Sequence, residues 1–116
     1  MATATISNKV ERADGTPQSI SVKIQLLWDS TESPVAKDSA NDAMIQGSTT
    51  IDSDENGSWS LTVTSNDDIL PANNVYKIVE TAKTGSTSNT YYVSVPNTDP
   101  SFWVGDIIVS KPSWVV

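Results

Sequence analysis

The sequence predicts an all-β protein: a two-sheet antiparallel β-sandwich of about seven strands, prealbumin-like or Ig-like in style. Three observations carry this. Ile20, Val22, Ile24, Leu26 and Trp28 alternate with Ser21, Lys23 and Gln25, the period of a strand with one buried and one wet face. Trp59, Leu61 and Val63 alternate with Ser58, Ser60, Thr62 and Thr64 in the same way. Gly, Pro, Asn and Asp recur at near-regular spacing between segments rich in Thr, Ser and Val, which is turn chemistry between β-favouring stretches.

The elements follow in order. Residues 3–10 form the first predicted strand, and residues 11–17, with Asp14-Gly15 and Pro17, form a turn. The strand from Ile20 to Trp28 is followed by a polar loop at residues 29–41 that contains Pro34; loops of that length in compact domains are often functional. Residues 44–52 and 58–64 read as a central hairpin closed by Asp54-Glu55-Asn56-Gly57, because Asn-Gly tolerates the positive φ angles of tight loops. Trp59 is its largest core anchor. Residues 65–71 connect onward with Ile69 and Leu70 as an apolar plug. Residues 75–81 are apolar on both faces, which places that strand centrally. A flexible turn at residues 84–88 leads to a strand at residues 89–95, with Tyr91, Val93 and Val95 facing inward and Pro96 ending it. The last strand lies within residues 102–109.

Composition limits the function. By length the chain is one domain, residues 1–116, large enough to bury roughly two-thirds of its unfolded surface. Cysteine and histidine are both absent, and 7 Lys and Arg face 14 Asp and Glu for a net charge of −7. Such a chain repels nucleic acid and anionic membrane surfaces, and no apolar run approaches the ~20 residues of a membrane span. The N-terminus lacks the basic and apolar regions of a signal peptide.

Chemistry-bearing motifs are few. Asp52-x-Asp54-x-Asn56-Gly57 matches the first half of a calcium loop, but Val63 stands where the bidentate acid belongs and the segment is a strand. Asn66-Asp67-Asp68 satisfies its own backbone in a turn. Asp67 and Asp68, being adjacent, cannot flank a glycosidic bond. Without His or Cys the usual nucleophile–base pairs are missing, and no motif supports Ser110-Lys111 chemistry. No enzyme activity, catalytic residue, cofactor or metal site is expected. The candidate partner-binding residues are Trp103, Trp114, Val115 and Val116. Trp103 follows a loop and caps the end of the sandwich. Residues 110–116 leave strand periodicity after Pro112 and end on three apolar side chains; such a tail docks either on a neighbouring subunit or on the chain's own core.

Taken in order, Gly57-Ser58-Trp59-Ser60-Leu61, Asn66-Asp67-Asp68-Ile69 followed by Pro71, Val75-Tyr76-Lys77-Ile78-Val79-Glu80, Tyr91-Tyr92-Val93-Ser94-Val95-Pro96 and Trp103-Val104-Gly105-Asp106-Ile107 resemble a known family. It is the prealbumin-like, or carboxypeptidase-regulatory-like, β-sandwich domain, in the version found in structural proteins of tailed bacteriophages. The resemblance spans about residues 18–109 and brings no catalytic residues. It implies a non-enzymatic virion structural protein, first a capsid decoration or cement (head accessory) protein. The alternatives are a tail or tail-fibre attachment protein and a carbohydrate-binding or adhesion module. The implied partners are phage capsid or tail proteins, with the chain homo-oligomeric or multi-copy on a particle assembled in the host cytoplasm. The absence of cysteine suits that reducing compartment. The carbohydrate alternative needs two exposed aromatics on one surface, and Tyr92 with Trp103 is the pair available.

Overall fold

A computed structural model describes residues 3–45, 47–84 and 88–115. The strands are β1 (Thr3–Lys9), β2 (Ile20–Trp28), β3 (Lys37–Asp38), β4 (Ser48–Asp52), β5 (Ser58–Thr64), β6 (Ile69–Leu70), β7 (Asn74–Ala82), β8 (Ser88–Val93), β9 (Ser101–Trp103) and β10 (Ile108–Val109). They form a β-sandwich. One sheet has the order β5-β1-β9 and the other β10-β8-β7-β2-β4, with β3 and β6 as a short ribbon. All pairings are antiparallel except β1 with β9, which run parallel.

Period-two patterning builds the core as expected. Ala4, Ile6 and Trp59 from the smaller sheet meet Ile20, Val22, Ile24, Leu26, Tyr76, Ile78 and Val93 from the larger one, all buried. β7 is central, between β2 and β8. Val104 and Ile107 are buried with this cluster.

Three expectations are corrected. Residues 44–52 and 58–64 are not a hairpin: β4 pairs with β2 and β5 with β1, in different sheets. The turn itself is the one foreseen. The Gly57 N–H bonds the Asp54 carbonyl at 3.1 Å, the Asp54 N–H bonds the Ser58 carbonyl at 2.9 Å, and Gly57 has φ 76°. Past that closure the arms separate, because Ser53 N–H is taken by the Ile20 carbonyl and the Gly57 carbonyl by Val10 N–H. Local turn chemistry is the same for a hairpin and for an arch between sheets. The strand within residues 44–52 also begins only at Ser48; Met44 makes a single bridge to Lys37 and is exposed, while Gln46 lies outside the described residues.

The last strand is likewise divided. β9 joins the smaller sheet and β10 the larger, with a turn of 3-10 helix at Val104–Asp106 between them. The long polar loop contains β3, with Ala36 and Asp38 buried. Of the turn at residues 84–88, residues 85–87 lie outside the described residues.

Gly57 is constrained twice. Its φ suits glycine, and a Cβ there would sit 2.3 Å from the Val10 carbonyl oxygen and 2.8 Å from that of Gln18. Gly57→Ala should therefore cost about 1–3 kcal/mol from backbone conformation alone and more from the clash. Gly105→Ala, with nothing within 4 Å of its added methyl, should cost far less. Chemical-denaturation midpoints measure both; equal losses would refute the constraint.

Candidate partner-binding surface

The interior polar groups are consumed in tying the two sheets together. Glu80, on the inner face of β7, is only 2% exposed. Its carboxyl oxygen Oε2 accepts from Trp59 Nε1 at 2.7 Å and from Asn8 Nδ2 at 2.8 Å, both reaching across from the smaller sheet. The Tyr91 hydroxyl, on β8, also bonds Glu80 and receives a long contact of 3.4 Å from Asn8 Nδ2. A second tie runs from the Tyr76 hydroxyl to the Thr64 carbonyl at 2.7 Å. A third is centred on Asn66 and Asn74. Asn66 Nδ2 bonds Asn74 Oδ1 at 2.7 Å, Asn66 Oδ1 accepts the Val95 N–H at 2.6 Å, and Asn74 Nδ2 bonds the Pro71 carbonyl at 2.7 Å. Asn66 thus does more than satisfy its own turn: it pins that turn to the chain after β8. Among the described residues, no buried side-chain nitrogen or oxygen lacks a partner.

These groups are enclosed and spent on one another, so what can meet another molecule lies on the surface. The outer face of the smaller sheet is rich in hydroxyls: Thr3, Thr5 and Ser7 on β1, Ser60, Thr62 and Thr64 on β5, and Ser101 on β9. The Thr5 and Thr62 hydroxyls lie 3.0 Å apart. Trp103 stands at the β9 edge of this face, paired with Ser7 and 61% exposed. Two shallow hollows flank it. Ser101 and Asp106 line one; Asp52, Asp54, Ser58 and Ser60 line the other. Asp54 is itself committed to its turn, accepting from Asn56 and Ser58 N–H at 2.9 and 3.0 Å. Among the described residues no three acidic side chains gather into a metal site.

The other predicted contact residues lie elsewhere. Trp114 and Val115 are half-buried and border a hollow with Gln25, Leu27, Trp28, Ser30 and Lys77. Trp114 and Val115 therefore lie against the outer face of the chain's own larger sheet and are not part of its core. Val116 lies outside the described residues. Tyr92 also faces outward from the larger sheet, paired with Lys77 and Val109, while its neighbour Tyr91 points into the core. Tyr92 and Trp103 thus occupy opposite faces of the sandwich and form no joint aromatic platform. No family model matches the chain, and no curated protein matches it in sequence.

Burial raises the Tyr91 and Tyr76 phenols well above their ordinary value of 10.0, and the Glu80 carboxyl adds to the rise at Tyr91. Both stay neutral in the folded chain at a pH where they ionise in the unfolded one. Their contribution is complete below about pH 10 and is lost as pH rises above it. The denaturation midpoint should fall above pH 10, and the fall should be shallower in the Tyr76→Phe/Tyr91→Phe variant. An identical alkaline slope in both proteins would contradict the assignment.

Proposed function

We propose that this chain is a non-enzymatic structural protein of a tailed-phage particle, a capsid decoration protein that attaches through the outer face of its smaller sheet. The observation that carries this is Trp103, a large aromatic held 61% exposed on a flat strand face, bordered by hydroxyls and carboxylates. Projecting tryptophans surrounded by small polar groups are the usual anchors of protein–protein contacts. The order of motifs along residues 18–109 supports the phage setting. The carbohydrate-binding alternative loses its basis, because its two aromatics point in opposite directions.

Purified protein mixed with undecorated particles should co-sediment with them. Trp103→Ala should weaken that binding about tenfold or more while leaving the denaturation midpoint nearly unchanged. Deleting residues 112–116 should lower the midpoint instead, since Trp114 and Val115 pack on the chain's own sheet. Undiminished binding by Trp103→Ala rejects this face as the attachment. Cryo-EM of the decorated particle separates head from tail, and density confined to the tail replaces decoration with tail attachment.

A further inference from the structure

The geometry points to the free edge of β5 as a contact between two copies of this chain. β5 pairs with β1 on one side only. Its backbone groups alternate between the two sides, and four bonds fix the phase. The Gly57 carbonyl accepts from Val10, so odd-numbered residues face β1. Ser58 faces away, with its carbonyl bonded by Asp54 N–H and its own N–H bonded to Asp54 Oδ1. Thr64 also faces away, with its carbonyl bonded by Tyr76. Ser60 and Thr62 therefore face away as well, and their N–H and C=O groups have no partner among the described residues. The edge is closed at Ser58 and at the Thr64 carbonyl, and open in the middle.

Sheet edges in soluble proteins are normally blunted by charge, proline, a bulge or shortness. The other edges here are: β9 and β10 are three and two residues long, and β4 ends in Asp52, which is paired with Lys83. β5 reads Ser-Trp-Ser-Leu-Thr-Val-Thr, with no charge and no proline. Beside it the gap between the sheets is lined by half-buried Leu61 and Val63 together with Ile24, Leu26, Ile45 and Tyr76.

The open groups are self-complementary. If a second copy pairs antiparallel with Leu61 opposite Leu61, Ser60 meets the second copy's Thr62 and Thr62 meets its Ser60. Both pairs are of the hydrogen-bonded kind, so all the open groups of Ser60 and Thr62 on both copies find partners. Leu61 and Val63 stay on the inner side and the hydroxyls on the outer. A slip of two residues would set an open group against the Asp54-capped or Tyr76-capped end. The two-fold is that of an isologous dimer, and β5 itself carries no charge to oppose it. Seven residues at about 3.3 Å each give about 23 Å of edge, and two layers give it about 20 Å of depth. The contact thus covers about 450 Å² on each copy, below the roughly 800 Å² per partner of a stable interface. The dimer is weak and reversible, filled where copies are concentrated. It does not depend on the particle reading, and Trp103 takes no part in it.

Sedimentation equilibrium from micromolar to millimolar protein tests this. The wild type should show a concentration-dependent dimer, and hydrogen exchange should show Ser60 and Thr62 amides gaining protection as concentration rises. Thr62→Pro removes the outward N–H without touching the β1 pairing, and Thr62→Lys sets two cations near the two-fold. Each should weaken association about tenfold or more at an unchanged circular dichroism spectrum, while Trp103→Ala leaves it intact. If Thr62→Pro does not fold, Thr62→Lys decides alone. A wild type that stays monomeric at millimolar concentration overturns the proposal, as does undiminished dimerisation of Thr62→Lys. Protection of these amides only on mixing with particles also overturns it and gives the edge to a strand of the particle.

Discussion

The Glu80 carboxyl, buried between the sheets, is the constraint on which the rest of the structure depends. A carboxyl group taken out of water is costly unless its oxygens are met by donors. Here Trp59, Asn8 and Tyr91 meet it, and they come from β5, β1 and β8. One acidic side chain therefore fixes the position of the central strand of one sheet relative to both longer strands of the other. The constraint is strict because a strand has period two. A one-residue slip of β7 would turn Glu80 to the outer face and bring Val79 inward, leaving the Trp59 indole N–H buried without an acceptor. The three ion pairs among the described residues, Lys9–Glu11, Lys37–Asp42 and Lys83–Asp52, lie on the surface and carry little by comparison.

Apolar packing supplies the bulk of the stabilisation, and the polar ties supply its uniqueness. Ile6, Val22, Ile78 and Val93 are wholly buried, yet branched aliphatic side chains of similar volume tolerate small shifts against one another. The hydrogen bonds of Glu80, Asn66 and Asn74 do not, since each loses its donors or acceptors on displacement. The Asn66–Asn74 tie is the counterpart of the Glu80 tie at a different place in the sandwich, holding the turn after β5 against the start of β7 and the chain after β8.

The fold class was legible because Ile20 to Leu26 and Trp59 to Val63 alternate without interruption, and alternation of that kind has one physical reading. Pairing was not legible. Asp54 to Gly57 closes a turn by the same hydrogen bonds whether its arms stay together or part into two sheets, and what parts them is Ile20 and Val10, far away in sequence. Glu80 escaped for a related reason. A glutamate beside Thr81, at the end of an apolar run, reads as the wet end of a strand, and nothing local announces that Asn8 and Trp59 will reach it. Of the surface residues, Trp103 was found but its face was not. The sign of each position follows from strand phase, and the parallel β1–β9 pairing that sets the phase of Trp103 links residues 5–7 with 101–103. Trp114 and Val115 were singled out as apolar residues without a polar face to cover them, and they lie half-buried beside the outer face of their own sheet.

A double-mutant cycle between Trp59 and Glu80 tests most directly whether this tie organises the sandwich. Trp59→Phe removes the indole N–H, Glu80→Gln keeps the side-chain volume, and the unfolding free energies of both single variants and the double variant are compared with the wild type. The account predicts a coupling of about 1–3 kcal/mol, as expected for directly bonded buried groups. Effects that add to within about 0.5 kcal/mol would contradict it, and would leave the Glu80 tie without an organising role.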